Sequence, residues 1–374
     1  MKACIIVGTR PEIIKMSPVI RACELKGAEY FVLHTGQHYS YELDRKMFED
    51  LELKEPRYNL DVGSKPFAKQ IGFMAAKIKE ILKKEKPDIV FVQGPALISY
   101  LSIYYAHKFH KKTIFYTHTI AWELFEKFFP PLLNTLFLNL IKKLSIAAYN
   151  RCNEIFVPYY DLKKALAKAG VRTELTVARL GVDIEVFSPS KDKRLSKERL
   201  GINHGKMVIG YVGRVSKEKN THLLLQAFRR LPHQENLHLL IVGDGPESQT
   251  REFKETANCT VTGFVGNVQD YLKAMDIFVM PSLTETTSLA TLEAMASGLA
   301  VVVTKVGFIQ NYVVKGYNGL FFPRNSSALL AIKMEQLIKE RGLREQLGQN
   351  ARKTIAYSFS WERSINKIKR LLLR

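Results

Sequence analysis

Acidic residues are scarce in this chain, cysteines are few, and no apolar stretch is long. Asp and Glu number 36 against 56 Lys and Arg, which leaves a formal net charge of +20. Such a surplus points to polyanionic partners: phosphorylated substrates, an anionic membrane face or nucleic acid. Cys4, Cys23, Cys152 and Cys259 stand apart, with no Cys-x-x-Cys pair. That argues against a disulfide framework or a zinc site and fits a reduced cytoplasmic setting. The longest apolar run, Phe128 to Ile141, contains two prolines, two asparagines and a threonine, so it does not read as a membrane span. Near the start, "ACIIVGT" stops at a glycine turn and reads as a strand rather than a secretory signal. There is no Asp-x-Asp metal signature, no internal repeat and no low-complexity segment.

What the chain does have is alternation. Strand-like runs ("ACIIVGT", "YFVLHTG", "DIVFVQG", "TIFYTH", "EIFVP", "LTVARLG") alternate with helical patterns through the first half. The runs are β-branched and nearly continuous, as expected for parallel strands covered on both faces. A charge-dense segment, Ser188 to Lys206, interrupts the rhythm and reads as a linker. The alternation restarts with "KMVIGYVGRV", "HLLIVGDG", "CTVTGFV", "DIFVMPS", "AVVVTKVG" and "GLFFP". The expected architecture is α/β, with two Rossmann-like, doubly wound parallel-sheet domains facing across a cleft. They cover residues 1–187 and 206–357, with 188–205 between them and a basic helix at 358–374 crossing back to the first.

Ligands of open α/β sheets sit at the carboxyl ends of strands. In the second half, "GYVGRVSKEKN" places Gly213, Arg214 and Lys219 there, a fork and a point charge suited to a diphosphate. In "MPSLTETTSLATLEAMASG", Thr286 or Thr287 can cap a helix that stops at Gly298. The free amides at that helix start, near Thr287, Ser288 and Leu289, suit a phosphate. Glu293 lies inside this apolar helix, where a carboxylate needs hydrogen-bond donors such as two ribose hydroxyls. Glu285, in the preceding loop, can meet a sugar hydroxyl. The turn at Gly263, Phe264 and Val265 can read a nucleobase edge, while "IVGDGPE" reads as a structural turn.

In this order and spacing, "GRVSKEKN", Glu285…Glu293 and "LEAMASG" resemble the nucleotide-sugar-binding half of the retaining glycosyltransferases of family 4, which have the GT-B fold. The resemblance covers roughly Lys206 to Ser360. It implies that Arg214 and Lys219 hold the diphosphate, Glu293 the ribose and Glu285 the transferred sugar, with front-face attack and no metal cofactor. One departure is visible: Thr286, Thr287 and Ser288 stand where many members have Gly-Phe-Gly.

The first half carries "GTRPEIIKMSP" and "LHTGQHYSYELDRKMFEDLEL", which look like the amino-terminal domain of the non-hydrolysing UDP-N-acetylglucosamine 2-epimerases. In the first motif Gly8 allows close approach, Pro11 opens a helix, and Arg10 and Lys15 add charge, together half of a phosphate clamp or a contact for an anionic lipid acceptor. Epimerisation needs an acid/base carboxylate set. Gln93, Gly94 and Pro95 stand where those epimerases have Gly-Asp-Thr, and their later His-Arg-Arg-Glu-Asn element is missing. Epimerisation is therefore the alternative and sugar transfer the main reading, with a UDP-sugar favoured as donor. His118, in "YTHT", matches the transferases' histidine facing the transferred sugar, and Glu123 is placed to meet an acceptor.

From Tyr100 to Arg172 eleven basic residues face four acidic ones. Within that span residues 132, 133, 136, 137, 140, 141 and 144 form an apolar helical stripe ending beside Lys142 and Lys143. The stripe suits either an interfacial helix on an anionic membrane or a core-facing helix. The membrane reading predicts a lipid or lipid-linked acceptor and a cytoplasmic protein held peripherally on the inner membrane face. A basic nucleic-acid-binding protein would leave the Glu285…Glu293 arrangement without a purpose, so no nucleic-acid partner is expected.

Overall fold

The computed structural model describes residues 1–36, 48–49, 51–64, 67–126, 131–179 and 181–372. The chain forms two compact units, Met1–Leu180 with Glu362–Arg374, and Gly181–Trp361.

Unit 1 is a parallel sheet of seven strands: β1 (Lys2–Val7), β2 (Glu29–His34), β3 (Tyr58–Asn59), β4 (Ile89–Gln93), β5 (Lys112–Tyr116), β6 (Glu154–Val157) and β7 (Glu174–Val177). Their order is β3-β2-β1-β4-β5-β6-β7. Ile5 of β1 sits between Val32 and Phe91 in register, and all three are buried. This is why the strands read as unbroken apolar runs: the sheet is covered on both faces. The chain winds outward from β1 in both directions, so the junction of β1 and β4 is the switch point where such sheets bind ligands.

Unit 2 repeats the plan with six strands: β8 (Met207–Val212), β9 (Leu237–Val242), β10 (Cys259–Val261), β11 (Ile277–Met280), β12 (Ala300–Thr304) and β13 (Leu320–Phe322). The order β10-β9-β8-β11-β12-β13 puts its switch point between β8 and β11. Each of the twelve apolar runs is a strand; β3, two residues long, has no run to announce it.

The boundary lies earlier than the sequence suggests. Arg352 donates to the carbonyls of Ile184 (2.9 Å) and Phe187 (2.7 Å), binding residues 181–187 into unit 2. The expected linker is also structured. Asp192 caps a helix, Lys193–Glu198, whose Lys197 is buried with Nζ 2.7 Å from Asp276 Oδ2. Lys193 donates to the Met275 carbonyl at 2.7 Å. A charge-dense stretch reads as solvated until its lysines find a shared acid at the foot of a neighbouring strand. The terminal helix, Trp361–Leu372, buries Ile365 and Ile368, and its Ser364 hydroxyl donates to the Arg179 carbonyl at 2.9 Å.

Candidate functional site

In unit 2 the loops after β8 and β11 are pulled together across the switch point. Lys219 Nζ donates to Glu285 Oε1 at 2.7 Å, and the Ser282 hydroxyl donates to the same oxygen at 2.8 Å. The Leu283 amide donates to the Glu218 carbonyl at 3.0 Å. Glu285 is thereby fixed before any ligand arrives, and Lys219 keeps further N–H groups for an anion. Arg214 is exposed and has no partner among the described residues. Its loop is braced from β9: the Gly213 amide donates to the Val242 carbonyl, and a side chain at Gly243 (φ 137°) would start 2.1 Å from the Gly213 carbonyl oxygen. That contact makes the "IVGDG" turn structural.

The following helix is Leu289–Ala296, and its cap differs from expectation. Ser288, not Thr286 or Thr287, accepts from the Thr291 amide (3.3 Å) and hydroxyl (2.8 Å). Thr287 is instead buried with its hydroxyl unpartnered among the described residues. The amides of Leu289 and Ala290 keep no acceptor there either, an anion site by geometry and dipole. The helix ends with Gly298 in the left-handed region, as the sequence indicated. Glu293 is half-buried on this helix and its carboxylate has no hydrogen-bond partner among the described residues. Burial pushes its carboxyl up to about 7. A structural glutamate bonded to its neighbours would not look like this.

Two further features frame the site. Gly307, after β12, is needed because any Cβ there would lie 1.9 Å from the Glu285 carbonyl oxygen. Gly263 (φ 72°) turns the chain after β10 so that Phe264, 54% exposed, stands out beside the half-buried Val265.

Unit 1 brings its predicted residues together differently. Gly8 does approach its neighbours closely, its carbonyl accepting from the Thr35 hydroxyl at 3.1 Å. The loop amides offered to an external anion are already taken. Glu12 Oε2 accepts from Gly8 N (2.6 Å) and Thr9 N (3.1 Å). Glu12 was the residue missed, although Thr-x-x-Glu is a capping-box pattern visible in the sequence. Burial raises its carboxyl, partly offset by those amides and by Lys15. The Arg10 side chain lies outside the described part of the structure, as do residues 37–47 of the second epimerase-like motif.

His118 is 3% exposed, tilted at 43° with its ring centroid 4.5 Å from that of Tyr116, and neither ring nitrogen has a partner among the described residues. Burial, with the charge of Lys15, holds it neutral, well below the usual histidine range. Glu123 is exposed on the helix Ala121–Glu126. On the helix Pro131–Tyr149, Phe137, Leu140 and Leu144 are exposed, so this part of the stripe does not face the core. The side chains at 132, 133 and 136 lie outside the description. Lys142 rests over the Trp122 ring at 5.6 Å, while Lys143 is exposed. No described helix is long and apolar enough to cross a membrane.

Comparison with known families follows the same division. Residues 192–354 match the model of the group 1 glycosyl transferases, and residues 21–110 that of the UDP-N-acetylglucosamine 2-epimerases. The two matches thus fall in different parts of the chain, one in each unit. Over 94 residues it is 52% identical to a UDP-N-acetylglucosamine 2-epimerase of Methanocaldococcus jannaschii, covering 25% of this chain and 26% of that protein. It is 26% identical to the alpha-monoglucosyldiacylglycerol synthase of Acholeplasma laidlawii, over 65% of each chain. The chain therefore spans about a quarter of the first relative and less than two thirds of the second. In fold it is similar to Anabaena HepE, crystallised with UDP and glucose, at a TM-score of 0.79 and 18% identity over 100% of this chain and 99% of that one. The likeness establishes the GT-B class of two Rossmann-like domains.

Proposed function

We propose that the protein is a retaining glycosyltransferase that moves a sugar from a nucleotide-sugar, a UDP-sugar in the first instance, to a hydroxyl of a lipid or lipid-linked acceptor. The observation that carries this reading is Glu293: a half-buried carboxylate without a side-chain partner among the described residues, about one turn from a helix start with open amides. Ribose hydroxyls satisfy the carboxylate, and the diphosphate takes the amides of Leu289 and Ala290 together with Arg214 and Lys219. Glu285, held by Lys219 and Ser282, faces a hydroxyl of the transferred sugar, and in unit 1 neutral His118 is suited to hydrogen-bond a sugar hydroxyl. Phe264 and the backbone of Gly263 and Val265 receive the base.

In the transfer, the bond from the anomeric carbon to the diphosphate oxygen breaks and one to the acceptor oxygen forms on the same face. The acceptor proton passes to the departing phosphate oxygen, so no enzymic base is used. Arg214, Lys219 and the helix amides supply the charge stabilisation, and no metal cofactor is invoked. The exposed Phe137, Leu140 and Leu144, with Lys143 and the +20 charge, support peripheral binding to an anionic lipid surface on the cytoplasmic side. The name of the Acholeplasma relative, a synthase of a glucosylated diacylglycerol, favours a lipid acceptor.

The test is a donor screen, by calorimetry and by nucleotide release, across UDP- and GDP-sugars with vesicles containing diacylglycerol. Nucleotide release that depends on both donor and vesicle is expected. Deuterium uptake at C2 of a UDP-sugar in heavy water, without any acceptor, would instead establish the epimerase.

A further inference from the structure

Gly8, Gln93 and His118 stand at or just past the carboxyl ends of β1, β4 and β5, three neighbouring strands of unit 1. Backbone amides at such a switch point usually make a cradle for an anion. Here the cradle is filled from within, by Glu12 Oε2 on the amides of Gly8 and Thr9. The second oxygen reaches the end of β4: a Cβ added at Gly94 would lie 2.9 Å from Glu12 Oε1. Around it, unsatisfied polar atoms are buried. Gln93, 3% exposed, leaves Oε1 without a partner among the described residues, and His118 leaves both ring nitrogens.

These groups have a definite preference. Gln93 Oε1 accepts and cannot donate, and a neutral imidazole offers one donor and one acceptor. An ionised phosphate has no proton for Gln93 and would meet the Glu12 carboxylate at close range. A hydroxyl both donates and accepts, and carries no charge to repel. We propose that Glu12 is a built-in anion occupying the place of a substrate phosphate. It makes the strand-end site of unit 1 refuse phosphate and select an uncharged, hydroxyl-bearing ligand, whose proton Gln93 accepts. The proposal rests on the transferase reading only for the origin of that hydroxyl, which belongs to the transferred sugar or to the acceptor.

Glu12→Ala removes both the charge and the acceptor that fill the cradle, leaving the amides of Gly8 and Thr9 open. Titrated with inorganic pyrophosphate by calorimetry, the full-length variant should bind one equivalent more than the wild type, whatever the wild type itself binds. Unchanged stoichiometry overturns the proposal. A second measurement needs no variant. Hydrogen exchange at Gly8 and Thr9 in the wild type should be unmoved by millimolar phosphate, and phosphate-induced protection there overturns it. Saturation-transfer NMR with glycerol, glucose and UDP-glucose then reads the hydroxyl. Contact with free glycerol or glucose assigns it to the acceptor, and contact with UDP-glucose alone to the transferred sugar. In either case Gln93→Leu should lose most of the signal from the bound hydroxyl ligand, and a variant that binds as the wild type does overturns the role of Gln93. A chain that fails every transfer assay would end the transferase reading and leave the pyrophosphate result standing.

Discussion

The two units share one plan and treat anions in opposite ways. At the β8/β11 junction, Arg214 and the amides of Leu289 and Ala290 are open, and the nearby Glu293 carboxylate is left without donors. At the β1/β4 junction the amides of Gly8 and Thr9, which follow β1, are closed by Glu12. In the proposed reading the same topology supplies a phosphate site in unit 2 and a hydroxyl site in unit 1, where the Glu12 carboxylate fills the strand-end amides. The fold sets where ligands go, and one side chain sets their charge.

The comparison can be broken at several points. Replacing Lys219 or Glu293 by Ala should lower transfer by roughly 10²-fold or more, the usual loss for one transition-state donor. Near-normal steady-state rates in both variants would remove unit 2 from the chemistry. Glu293 also predicts a pH signature. Its carboxyl is raised from 4.5 to about 7 in the folded chain, so between those values the folded state holds a proton that the unfolded state has released. Stability from this group is full below pH 4.5 and falls as pH rises to 7, by on the order of 1–3 kcal/mol. Glu293→Gln should therefore be more stable than the wild type at pH 8 and not at pH 4, as read by urea denaturation, while transfer is lost. Nucleotide-sugar binding near pH 6.5 should release a proton, seen as a buffer-dependent heat.

Gly243→Ala tests the brace on the Arg214 loop. Its Cβ would start 2.1 Å from the Gly213 carbonyl oxygen, and a cost of about 1–3 kcal/mol in denaturation midpoint analysis is expected. The smallest effect lies on the surface of unit 1. Leu144→Glu should weaken binding to anionic vesicles by about tenfold, as for one leucine withdrawn from apolar surroundings at about 1.5 kcal/mol. The same variant should leave turnover of a water-soluble acceptor unchanged. Equal vesicle binding in wild type and variant would return that helix to a purely structural role.

Much of this was legible in the residues. Parallel strands buried on both faces read as apolar runs, and the strand ends that carry the candidate residues followed from the alternation, while the switch points needed the strand order. Glu293 stood out because a carboxylate among Leu and Ala has no cheap explanation, and Glu285 because it lies in the loop that leads into the same helix. What escaped was pairing across distance. Lys197 reads as one more surface charge until Asp276 is seen beside it. Ser288 displaced two threonines as the cap because the Glu285 loop, pinned by Lys219 and by Gly307, enters the helix one residue later than spacing suggests. The filled cradle at Gly8 needed only the Thr-x-x-Glu pattern, but a neighbouring Arg and Lys drew attention toward an external anion.

One small contact has a wider consequence. Val182 and Ser360 form a β-bridge, with the Val182 amide on the Phe359 carbonyl at 2.7 Å and the Trp361 amide on the Val182 carbonyl at 3.0 Å. The second unit thus begins and ends at one spot, its two termini laced together as they would be in a free-standing protein. It is a cassette set into the first unit, not a tail appended to it. A gene segment bounded at codons 181 and 361 can be exchanged whole, leaving the host's terminal helix in place.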